Sequence, residues 1–175
     1  MGRPRGFDEA RAVAAAADLF ARRSYDGTSV DDLVTETGVH RGSLYNTFGS
    51  KRGLYLSALR HHVDEEVTRF AAGVTEAGDL GSALRQALGD NEGRRALGFL
   101  LLAAAERAAA DRDVAAEVAR GLNVLDTAVR SLLNDTEADG LARGLTAMLL
   151  GLLLREGTDP GATLDAADAL LTRLR

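Results

Sequence analysis

No proline stands between Pro4 and Pro160, so along that whole stretch nothing forbids long, uninterrupted helices. The residues that fill it argue the same way. Alanine (31) and leucine (28) dominate the apolar set, with 11 valines, no isoleucine and an aromatic share of 5%. Alanine and leucine favour helix, while the β-branched and aromatic residues that build strands are scarce. The expected class is all-α, about nine helices in total.

Other features narrow the function classes. Cysteine is absent, which excludes disulfides, thiolate metal sites and a cysteine nucleophile. The longest apolar-rich runs, Ala96–Ala105 and Leu145–Leu154, are short of the roughly 18 residues a membrane span needs. No basic-then-apolar leader opens the chain, so the expected setting is cytoplasmic, without a membrane partner. The net charge is −5, but it is unevenly spread. Residues 1–62 carry nine Arg and Lys against seven Asp and Glu, a balance of +2; the other 113 carry twelve against nineteen, a balance of −7. A mildly basic head on an acidic body suits a chain whose first segment meets a polyanion.

Helix signals then follow one another along the head. A basic arm with Arg3 and Arg5 precedes Asp8, the expected N-cap of a first helix with Phe7 before it. Ala10, Val13, Ala14, Ala17 and Phe20 recur at helical spacing and predict its buried stripe. Ser24-Tyr25-Asp26-Gly27 stops it, and Thr28 with Asp31 three residues on reads as the capping box of a second helix ending at Gly38. Val39 to Phe48, stopped by Gly49, forms a third. Two helices of two turns each, joined by a glycine turn, make a helix-turn-helix over about residues 29–48. Ser50 caps a fourth helix that continues past residue 70.

The third helix carries the function. With Leu44 and Phe48 turned inward at 100° per residue, Gly42 and Asn46 point outward, Ser43 and Tyr45 sit on the shoulders, and His40 and Arg41 occupy the N-terminal tip. The outward-facing set is small, polar and free of carboxylates, as a surface that meets phosphates and base edges requires. Arg41 is the best guanine reader, and Asn46 suits adenine or a phosphate. Lys51, the only lysine among 21 basic residues, opens the fourth helix, where the backbone also favours an anion. Thr28 and Ser29 occupy the corresponding start of the second helix.

From Phe7 to about Leu59, and above all in Tyr25-x-Gly27-Thr28-Ser29-Val30 followed by Gly38-Val39-x-x-Gly42-Ser43-Leu44-Tyr45-x-x-Phe48-x-Ser50-Lys51-x-x-Leu54, the chain resembles the DNA-binding domain of TetR-type transcriptional regulators. The resemblance implies a three-helix DNA-binding domain at 1–60 and, at 61–175, a helical bundle that binds a small effector and dimerises through its last two helices. Carried over by position, Tyr45 and Lys51 contact phosphates, as does a hydroxyl at Thr28 or Ser29. Arg41, Gly42, Ser43, Asn46 and Thr47 face bases or the groove edge, and Arg3 and Arg5 form a minor-groove arm.

Beyond Gly73 the signals are blander. Leu80–Leu88, Arg94–Ala110, Val114–Leu133, Glu137–Leu154 and Leu164–Leu174 read as helices, and the last two carry more apolar surface than a thin bundle covers. Phe99, Leu102, Glu106, Asn123 and Met148 are candidates to line an effector pocket, although plain core packing suits them as well. Adjacent His61 and His62 diverge by 100° and suit a surface or interface; Asp111 and Asp113 suit a solvated helix end. No catalytic set emerges, and no cofactor or metal is expected. The expected protein is a homodimeric repressor released from a palindromic operator on double-stranded DNA by a small molecule. A helical ligand-binding or scaffolding protein without DNA function is the rival.

Overall fold

The computed structural model describes residues 7–89, 91–133 and 139–156, together with 165, 166, 169 and 172. The described residues contain helices and no strand: α1 (Glu9–Arg23), α2 (Val30–Thr37), α3 (Arg41–Phe48), α4 (Lys51–His62), α5 (Thr68–Glu76), α6 (Leu80–Gly89), α7 (Asn91–Ala103), α8 (Arg112–Ser131) and α9 (Asp139–Glu156). A π turn at Val63–Val67 joins α4 to α5 with helical backbone on both sides, so the described residues form eight separate helices. A second π turn, Ala104–Ala108, extends α7. Arg3, Arg5 and the expected helix Leu164–Leu174 lie outside the continuously described residues.

Two compact units result. The first takes the chain through Asp64 together with Phe99–Val118; the second takes Glu65–Gly98 and the chain from Ala119.

In the first unit, Asp8 caps α1 by accepting from the Arg11 N–H at 3.1 Å. The buried face of α1 is Ala12, Val13, Ala16, Ala17, Leu19 and Phe20, while Ala10 is exposed. It is wider than the expected stripe because α1 packs on both α4 and α2. Phe20 is the hub of an aromatic cluster. Tyr55 meets it edge-on at 4.9 Å, and Phe99 meets Tyr55 at 5.5 Å. Edge-to-face pairs add about 0.5–1.5 kcal/mol each beyond their buried area.

Two polar groups assigned to the surface by sequence are buried. His62 packs edge-on against Phe99 at 5.2 Å. Asp111 accepts from Arg52 Nε at 2.6 Å and Arg52 Nη2 at 2.7 Å, and caps α8 through the N–H groups of Asp113 and Val114. The Arg52 guanidinium above all holds the Asp111 carboxyl down at about 2, since an adjacent cation favours the ionised form.

Candidate nucleic-acid interface

The local chemistry that presents α3 begins one helix earlier. Ser29, not Thr28, is the N-cap of α2. Its hydroxyl accepts from the Asp32 N–H at 3.1 Å while Asp32 accepts from the Ser29 N–H at 2.8 Å, completing a capping box one residue later than the sequence suggested. The reason is Thr28: buried, it donates its hydroxyl to the Ser24 carbonyl at 2.7 Å and closes the α1–α2 turn. Thr28 therefore faces the protein, and Ser29 is the hydroxyl exposed at this helix start.

Gly38 ends α2 in the left-handed region at φ 68°, where glycine pays no Cβ penalty. Three residues later α3 begins, with the His40 carbonyl accepting from Ser43 and Leu44 at 2.9 and 3.1 Å. Only Leu44 of α3 is fully buried; Ser43, Thr47 and Phe48 are half-buried, and His40, Arg41, Gly42, Tyr45 and Asn46 are exposed. Tyr45 stands out at 41% exposure, large for an aromatic ring in a chain with so few. A Cβ added at Gly42 would meet no described atom within 4 Å, so internal packing does not require glycine there. Gly53 is different: a Cβ would sit 2.0 Å from the Phe48 carbonyl oxygen. That close approach locks the α3–α4 turn, with the Ser50 hydroxyl accepting from the Gly53 N–H at 3.0 Å.

The cations are less free than their sequence positions suggest. Arg41 Nη2 donates to Asp31 Oδ1 at 2.6 Å, and that bond raises the guanidinium pKa further. Lys51 Nζ lies 4.2 Å from the centroid of the Tyr25 ring, and Arg107 stacks on the same ring at 4.5 Å. Burial pushes the Lys51 ammonium pKa down, and neighbouring Arg107 adds to the effect. The Tyr25 N–H donates to Glu106 Oε2 at 3.3 Å. The ion pair of Asp31 with Arg41, that of Arg52 with Asp111 and the stacking of Lys51 and Arg107 on Tyr25 have no signal in the linear pattern, because each joins separate elements.

Residues 12–58 match the model of the family described as bacterial regulatory proteins, tetR family. The HTH-type transcriptional regulator YezE of Bacillus subtilis is 31% identical over 170 residues, an alignment spanning 87% of each chain. The chain belongs to the tetR family. The HTH-type transcriptional repressor BdcR of Escherichia coli is 34% identical over 87 residues, 50% of this chain and 44% of its own. A Saccharomonospora viridis regulator solved in complex with choline shares the fold at TM-score 0.68 and 22% identity, over 93% of this chain and 92% of that one. This tetR-family chain is thus a DNA-binding transcriptional regulator, and the family is not one of enzymes.

The five effector-pocket candidates separate. Phe99 belongs to the aromatic core, Leu102 is half-buried, and Glu106 is exposed on the π turn; all three lie in the first unit. In the second unit, Asn123 lines a polar recess with Asp126, Thr127, Arg130, Asp139, Ala142 and Arg143. Met148 lines an apolar one with Val74, Leu80, Ala83, Leu84, Val129, Leu145 and Leu149. The described residues contain no cluster of three metal-ligating side chains and no helix long and apolar enough to cross a membrane.

Proposed function

We propose that this regulator is a homodimeric repressor acting in the cytoplasm, which holds a palindromic operator through α3 and leaves it when a small molecule binds. The exposed face of α3 carries the reading: Arg41, Gly42, Tyr45 and Asn46 all face solvent on a helix anchored by Leu44. Arg41 and Asn46 would meet base edges, flanked by His40, Ser43 and Thr47. Tyr45, Ser29 and the start of α4 at Lys51 would meet phosphates. The arm with Arg3 and Arg5 would add minor-groove contacts.

The partner for dimerisation is a second copy, through α9 and the segment that follows it. Gly140, Gly144, Ala147, Gly151 and Leu154 are exposed on α9 at helical spacing, with Leu141 beside them. No described atom lies within 4 Å of a Cβ added at any of the three glycines. Small residues on an open helix face allow a partner helix to approach closely. Such a dimer would set two copies of α3 about 34–36 Å apart, the spacing of successive major grooves.

The Met148 recess is the proposed effector site. Val74, on its wall, belongs to α5, the last part of the helical run that Lys51 begins, so a ligand that shifts α5 would act on the element that opens at the DNA face. A coupling of about 2.7 kcal/mol would weaken operator binding about 100-fold. The experiment is a binding titration of purified protein against a duplex that it selects from a random pool and against random duplex, over a salt series. Binding to the selected site should fall with log salt at about −0.9 per phosphate neutralised. Salt-independent binding, or equal affinity for both duplexes, refutes the reading.

A further inference from the structure

Asp31 is a carboxylate placed where a DNA-reading surface would be expected to exclude one. Its side chain is 83% exposed in the first turn of α2, and its only described side-chain partner is Arg41, at 2.6 Å. The helix cap does not need it. Asp32 closes the capping box, and Arg23 pairs with Asp32 at 2.8 Å. An ion pair this exposed contributes little to folding. Against a polyanion, however, an exposed carboxylate repels any phosphate brought up to it. Asp31 therefore weakens general binding while touching the strongest base reader in the chain.

We infer that Asp31 is a specificity-determining residue, which positions the Arg41 guanidinium for guanine and disfavours its use on phosphates; the inference rests on the DNA-reading role proposed above for α3. A guanidinium has five N–H donors in a rigid plane. One N–H on Nη2 goes to Asp31, leaving four, enough for a bidentate pair to guanine O6 and N7 while the carboxylate stays in place. Held on one edge, the guanidinium loses rotational freedom that it would otherwise surrender on binding. Phosphates meet the Asp31 charge at the same spot, so a site that offers no guanine gains little from Arg41. Asp31 thus widens the gap between the right site and the rest, by repelling the wrong partners as well as by orienting toward the right one.

The test compares wild type, Asp31→Asn, Asp31→Ala, Arg41→Ala and the Asp31→Ala/Arg41→Ala pair on two probes at fixed salt. One is the duplex that wild type selects from a random pool; the other is random duplex of equal length. Both Asp31 variants should keep the helical signal and melting temperature of wild type. Each should bind random duplex more tightly, and the ratio of selected to random affinity should fall about tenfold, part of the discrimination a bidentate pair supplies. In the Arg41→Ala background the same Asp31 change should leave that ratio unaltered. A ratio unchanged by Asp31→Ala overturns the inference, as does an equal fall with and without Arg41. If wild type itself prefers no duplex, the DNA-reading role of α3 fails first and this inference falls with it. A wild type that discriminates while Asp31 is inert removes the inference alone.

Discussion

At the scale of single residues, Arg41, Gly42 and Lys51 make distinct commitments. Arg41→Ala should cost about 1–3 kcal/mol on the selected duplex and relax preference at one base pair. Lys51→Ala should weaken selected and random duplex alike, because a phosphate contact carries no sequence information; parallel titrations on the two probes check both. Gly42 separates folding from binding. Its Cβ position is open, so Gly42→Ala should stabilise the free protein by up to about 1 kcal/mol, the glycine penalty in a helix. If α3 enters the groove as proposed, the added methyl should nevertheless weaken operator binding, because it would stand where the groove approaches. Thermal melts and binding titrations on one preparation should therefore move in opposite directions. Arg41 and Gly42 were singled out in the sequence by helical spacing from Leu44, and Lys51 by its place just after the Ser50 cap, at the start of the fourth helix. The Arg41–Asp31 bond was not, because it joins two helices whose relative placement no periodicity encodes.

At the scale of elements, stops and caps were legible to within a residue. Asp8, Gly38 and Ser50 stand where their chemistry put them. The α2 cap moved from Thr28 to Ser29, since both side chains can cap and only the turn decided which hydroxyl faced inward. Interhelical polar pairing stayed hidden: Asp111 looked like a solvated helix end, yet it is buried beneath Arg52. Its carboxyl is held at about 2, against an ordinary value of 3.8. A lowered carboxyl contributes stability that is fully present above about pH 4 and is lost as pH falls through about 2. Asp111→Asn should therefore lower the melting temperature by several degrees at pH 7 and flatten the acid limb between pH 4 and pH 2, as read by circular dichroism. An acid limb as steep as that of wild type would show that the steepness comes from other groups. Gly53→Ala should disturb the α3–α4 turn, where the Phe48 carbonyl leaves no room for a methyl, and should lower DNA binding together with stability.

At the scale of the whole molecule, the residue pattern predicted an excess of apolar surface on Glu137–Leu154 and Leu164–Leu174; α9 exposes Leu141 and Leu154, and the second of these helices lies outside the continuously described residues. No cavity is legible in the same way: Asn123 and Met148 stand on similar amphipathic helices, yet within the second unit they line two different recesses. Helix faces repeat, whereas a cavity depends on where helices diverge. Gly144→Arg places a long cation on the open face of α9 and should yield a folded monomer by light scattering at micromolar concentration. That monomer should bind one half-site weakly and lose the palindrome. Retention of the dimer by this variant would move the interface elsewhere.

One titration bears on all of this most directly: purified protein against the duplex it selects from a random pool and against random duplex, at physiological salt. The selected site should be two-fold symmetric and preferred by about 10³-fold or more, with the preference much reduced in Arg41→Ala. A folded preparation that binds both duplexes equally would contradict this.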